Sequence, residues 1–121
     1  MIRDTKAVFD DHLDRADRRD LYGDIETNFA PDCVLLTSYG RFEGHVGVRA
    51  AADLLDRQVP EAAYEYTQRS VHEDIAFLEW RATGRGACVR DGADSFLVTD
   101  GRIRIMTIHY TVEPARWLCA L

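Results

Sequence analysis

The chain has 121 residues, enough for one domain with a buried core, and an apolar fraction of 46% excludes a disordered polymer. A formal charge of −6 argues against a nucleic-acid or anionic-membrane partner. No apolar run approaches the roughly 20 residues needed to span a bilayer, and MIRDTKAVFDDHL lacks the uninterrupted apolar stretch of a signal peptide.

Cys33, Cys88 and Cys119 form no Cys-x-x-Cys pair, and an odd, scattered set fits a reducing compartment better than a disulfide framework. His12, His45, His72 and His109 stand too far apart to present two metal ligands on one element. No glycine-rich phosphate loop follows a strand and no serine sits in a nucleophile elbow. The expectation is a cytoplasmic, cofactor-free and metal-free protein forming one domain over residues 1–121.

Asp4 is a plausible N-cap for a first helix of about 13 residues. Val8, Phe9, His12, Leu13 and Ala16 share its inward face, while Asp10, Asp14, Asp17, Arg15 and Arg18 face solvent. His12 is therefore a polar side chain on an apolar stripe: either a core histidine satisfied by a carbonyl, or a group reaching into a pocket. A shorter helix follows on Leu21, Ile25 and Phe29, capped by Asp20 or Asp24 and ended by Pro31-Asp32. Cys33–Thr37 reads as a buried strand, Ser38–Gly44 as a loop or short hairpin, and His45 to about Arg57 as a third helix halted by Pro60. Strands are predicted over Ala63–Val71 and Ile75–Thr83. Two more run from Gly92 to Val112 around Asp100-Gly101, the strongest short-range hairpin signal. The tail from Glu113 has no clear period; Trp117 and Leu118 either dock on the sheet or stay loose. Helices first and antiparallel strands after make the chain α+β.

Three stretches carry a family resemblance: GDIETNFAPDCVLL (Gly23–Leu36), FEGHVGVRA (Phe42–Ala50) and DSFLVTDGRIRIMTIHY (Asp94–Tyr110). In order and spacing they resemble the nuclear transport factor 2 superfamily, which includes SnoaL-like polyketide cyclases and ketosteroid isomerase. The resemblance implies a cone-shaped α+β barrel with a cystatin-like arrangement, three N-terminal helices packed on a curved antiparallel sheet around a cavity. It also implies a homodimer through the outer sheet face. The isomerase's proton-shuttling aspartate falls at about Thr37 and its oxyanion-hole tyrosine near Leu13, neither of which can take that role. Asp94 alone matches, at the place of the isomerase's neutral aspartic acid, a case used as a standard example of a carboxyl kept protonated by an apolar site.

If Asp94 faces the cavity, strand alternation sends Phe96 and Val98 there too. The comparison with the family places Met106, Ile108 and Tyr110 inward, with His109 outward unless a bulge exchanges it for Tyr110. It also places Phe77, Glu79 and Arg81 inward. A cavity holding Asp94 and Glu79 with Tyr110 or His109 would suit acid–base work, since burial and a neighbouring carboxylate raise one acid's pKa and leave the other ionised. By the SnoaL-like resemblance Asp94 is the acid/base candidate and His109 its partner. Tyr110 or His12 would donate to a substrate oxygen, and Tyr39, Trp80, Phe96 and Met106 would hold a small hydrophobic molecule. Two functions stay open: a cofactor-free isomerase, cyclase or lyase, and a non-catalytic ligand-binding or dimerising module.

Overall fold

A computed structural model describes residues 2–115. Helix α1 (Thr5–Asp17) begins where Asp4 accepts a hydrogen bond from the Ala7 amide at 2.8 Å. It buries Val8, Phe9 and Leu13 on the expected stripe. Helix α2 (Leu21–Asn28) is capped by Asp20, which accepts from the Gly23 amide at 3.0 Å. Strand β1 (Phe29–Thr37) then starts before Pro31, not after it. Proline is tolerated there because the pairing of β1 shifts register between Phe29 and Val34, so no regular ladder donor is lost. A short β2 (Gly40–Glu43) leads into α3 (Gly44–Gln58).

The rest is sheet: β3 (Ala63–His72), β4 (Ile75–Thr83), β5 (Ala87–Thr99), β6 (Arg102–His109) and a two-residue β7 (Glu113–Pro114). The strand order is β2-β1-β6-β5-β4-β3, with β7 beside β5. The expected all-antiparallel sheet is corrected at one pair, since β1 and β6 run parallel. They are joined through α3 and the β3–β6 meander, a crossover long enough for parallel pairing. Asp100 and Gly101, with φ of 52° and 76°, make the expected tight turn between β5 and β6.

Pairing shifts at Tyr66/Gln68, Trp80/Ala82 and Leu97/Val98 insert extra residues and bend the sheet over the helices. Phe9, Phe29, Phe96, Leu13 and Ile103 are fully buried between the two layers. Each such side chain contributes on the order of 2 kcal/mol by leaving water. No helix among the described residues is long and apolar enough to cross a membrane.

Cys33 is a buried free thiol, whereas Cys88 is disulfide-bonded. An odd cysteine count leaves room for a pair that spacing alone does not reveal, so the cysteines no longer argue for a reducing compartment. Trp117, Leu118 and Cys119 lie outside the described residues.

Candidate active site

Between the helices and the concave face of the sheet lies a cavity of about 580 Å³. Its walls are mostly apolar: Leu13, Val48, Ala51 and Leu55 from the helices, and Leu35, Leu78, Met106 and Ile108 from the sheet. Tyr64, Trp80 and Tyr110 form an aromatic side, with the Trp80 ring 5.7 Å from each tyrosine ring.

Asp17, Arg19 and Asp56 line it from exposed positions, whereas His12, Asp24 and Asp94 bring ionisable groups into its sheltered part. Asp94, on β5, is 7% exposed and accepts a hydrogen bond from Trp80 Nε1 at 3.0 Å on Oδ1. The contact follows from register. Trp80 pairs with Gly92 across the strands, and Asp94 lies two residues along on the same face. The Trp80 ring lies directly over Gly92, where a Cβ atom would overlap it. Burial drives the Asp94 carboxyl up to about 7, against the lowering effects of the Trp80 hydrogen bond and the His12 charge.

His12, on α1, is the second group. Its Nδ1 meets Asp24 Oδ2 at 2.8 Å, and its ring packs edge-on against Phe29 and Phe96 at 5.5 and 5.3 Å. Asp24 is itself 3% exposed and accepts from Asn28 Nδ2 at 2.9 Å. Burial opposes the imidazolium, but the charge and hydrogen bond of Asp24, with Asp94 and Asp11, outweigh it and raise the pKa above 6.5. Among the described residues no buried side-chain nitrogen or oxygen lacks a partner. His12 Nε2 and Asp94 Oδ2, which the protein leaves unbonded, are therefore open to the cavity they line. Burial holds the Tyr64 and Tyr110 phenols up to about 12, so both stay protonated. Tyr110 donates to Gln58 Oε1 at 2.6 Å.

A family model described as the SnoaL-like domain matches residues 9–106, most of the chain. The chain belongs to the SnoaL-like family. Comparison with curated proteins yields no match. Among solved structures, this SnoaL-like chain is similar to a candidate polyketide cyclase from Sinorhizobium meliloti, at 24% identity over 84% of this chain and 93% of that one, TM-score 0.72. A candidate ketosteroid isomerase from Kribbella flavida is 16% identical over 88% and 77%, TM-score 0.72. TerC, co-crystallised with polyporic acid, is 16% identical over 88% and 91%, TM-score 0.71. At these identities the likeness establishes the cone-shaped α+β fold and no more.

Within the SnoaL-like domain, His12, Trp80, Asp94, Met106 and Tyr110 line the cavity together. Other expectations are corrected. Glu79 and Arg81 are exposed on the outer face, because β4 turns Ala76, Leu78, Trp80 and Ala82 inward. Phe77 falls on that outer side as well. His109 is exposed, with its Nε2 at 3.4 Å from Asp91 Oδ2; no bulge exchanges it for Tyr110. Phe96 is 1% exposed beneath His12, wedged against Phe9, and does not line the cavity. Tyr39 stacks behind Tyr110 at 5.4 Å, outside the lining. Thr37 and Leu13 both line the cavity, but the Thr37 hydroxyl donates to Gly40 O at 3.0 Å and Leu13 has no donor.

Sequence reasoning treated Asp24 only as a helix cap and passed over Asn28 and Gly92. A signal was present. Asp24, Ile25, Asn28 and Phe29 repeat the spacing of Val8, Phe9, His12 and Leu13, which puts two polar groups on a second inward stripe.

Proposed function

We propose that this SnoaL-like protein is a cofactor-free acid–base catalyst, an isomerase, cyclase or lyase acting on a small hydrophobic carbonyl compound. The observation that carries the reading is the opening of His12 Nε2 and Asp94 Oδ2 into one mostly apolar cavity. Asp94, with a pKa near 7, is matched to taking a proton from carbon at neutral pH. As it takes the proton from the carbon beside the carbonyl, the C–H electron pair moves to the carbonyl oxygen. His12, as an imidazolium whose Nδ1–H is held by Asp24, donates its Nε2 proton to that oxygen and is left as the neutral Nδ1–H tautomer. The resulting enol then either regains a proton at another carbon or attacks a second carbonyl. The donor that Leu13 lacks is thus supplied one residue earlier. TerC, of the same fold, was co-crystallised with polyporic acid, which supports a ligand-holding cavity.

The reaction class can be tested without knowing the product. Hydrophobic ketones and diketones incubated with the protein in D₂O should gain deuterium beside the carbonyl, read by mass spectrometry. Asp94→Asn should reduce that exchange at least about 100-fold, while Glu79→Gln and His109→Gln, on the outer face, should leave it unchanged. Equal exchange by the wild type and Asp94→Asn would sink the proposal. A binding-only member is the second reading, favoured by the donors already engaged by protein (Trp80 to Asp94, Tyr110 to Gln58); it gives ligand binding with no exchange. We also propose that the chain is a homodimer through the outer sheet face.

A further inference from the structure

His12 owes its orientation to a hydrogen-bond chain that runs out of the cavity to the N-terminal segment. Asn28, fully buried, sits at its centre. Both hydrogens of its amide are used on carboxylates: Nδ2 donates to Asp24 Oδ1 at 2.9 Å and to Asp11 Oδ2 at 2.8 Å. Its Oδ1 accepts from Arg3 Nη1 at 2.8 Å. Arg3 is fixed in turn by donating Nη2 to Thr27 O and Gly101 O, at 2.8 and 2.9 Å.

An amide can be turned over, exchanging its acceptor and donor ends, and here only one orientation serves. With the oxygen toward Arg3, the nitrogen faces two carboxylates that can only accept. Asp24 then has Oδ1 filled by Asn28 and Oδ2 left for a donor, which must be His12 Nδ1–H. The remaining ring nitrogen, Nε2, is the one presented to the cavity. Turned over, the amide would set oxygen against two carboxylates and nitrogen against a guanidinium, a repulsive contact at every position.

We infer that Arg3 and Asn28 are positioning residues which, through Asp24, set the tautomer of His12 and so decide which ring nitrogen meets the substrate. The inference rests on the reading of His12 as the cavity's proton donor, but its test uses ligand-free protein and needs no activity. The charged groups that face His12 are Asp24 from α2, Asp94 from β5 and Asp11 from α1, with Arg3 acting on Asp11 from the N-terminal segment.

The test is ¹⁵N-labelled protein followed by long-range ¹H–¹⁵N correlation of the histidine rings through a pH titration. In the wild type His12 should be protonated on Nδ1 when neutral and titrate above its ordinary value. Asp24→Asn, nearly isosteric, should lower the midpoint by at least about one pH unit. Arg3→Ala should populate the Nε2–H tautomer; Arg3→Lys, which keeps charge and a donor, should restore much of the wild-type signal. Should Arg3→Ala fold poorly, Arg3→Gln carries the same expectation with its aliphatic stem kept. A His12 spectrum unchanged in both Asp24→Asn and Arg3→Ala overturns the inference. A change in Asp24→Asn alone overturns the part assigned to Arg3. Loss of deuterium exchange in Asp94→Asn bears only on the catalytic reading.

Discussion

At the scale of single residues, Asp94 links the stability of the fold to pH. Its pKa rises from 3.8 to about 7 on folding. The neutral carboxyl therefore keeps its full contribution below the unfolded value. That contribution is lost as pH rises through the folded value, and stays lost above it. The span corresponds to something on the order of 4 kcal/mol. His12, whose pKa is also raised, acts in the same direction, while Asp11, Asp20 and Asp91, whose pKa values are lowered, act oppositely and lose stability as pH falls. Asp94→Asn removes the Asp94 share. Its melting temperature should match the wild type near about pH 4 and exceed it by several degrees near about pH 8. A gap that stays constant with pH would show that burial does not hold the carboxyl. Asp94 was legible in the sequence because a carboxylate among Phe96, Leu97 and Val98 has to be accounted for chemically. Glu79 was misplaced by one residue of strand alternation. Ala76, Leu78, Trp80 and Ala82 are all apolar, whereas the odd set contains Glu79 and Arg81, and that contrast outweighs a distant comparison.

At the scale of elements, the pairing of β4 with β5 builds the carboxylate's support. The indole of Trp80 lies across the strand because Gly92 has no side chain. Gly92→Ala should push the ring off β5 and cost about 1–3 kcal/mol, measured by urea unfolding, with loss of the donor to Asp94. A stability change below a few tenths of a kcal/mol would mean the ring can shift freely. The Asp100-Gly101 turn and the span Ile75–Thr83 were readable from local chemistry, whereas β1 and β5 begin earlier than predicted, at Phe29 and Ala87. The pairing shifts were not. They depend on which backbone groups meet across strands, as at Trp80/Ala82, and neither sequence alone specifies the partner. The same holds for the parallel run of β1 beside β6.

At the scale of the whole molecule, one row of the outer face is apolar across four strands. Ile75, Leu97, Ile105 and Val34 are register neighbours from β4 to β1, with Ile75 46% and Ile105 37% exposed. The adjoining row begins with Phe77 and ends at Leu36, which is 46% exposed. A band of this extent on a sheet is suited to a second copy of itself. Light scattering at micromolar concentration should give the mass of a dimer. Ile105→Glu, which places two like charges at the centre of such a contact, should give the monomer with the cavity's chemistry retained. A wild-type monomer at that concentration would refute the association.

The contact between Trp80 Nε1 and Asp94 has an optical consequence. An indole whose N–H rests on a titrating carboxyl, with an imidazole acting on that same carboxyl, changes its emission when either group gains or loses a proton. Trp80 is one of two tryptophans in the chain. With Trp117 replaced by Phe, the emission spectrum becomes a direct gauge of the protonation state of the site. A molecule seated against the indole would register on the same gauge, whether or not it is ever turned over.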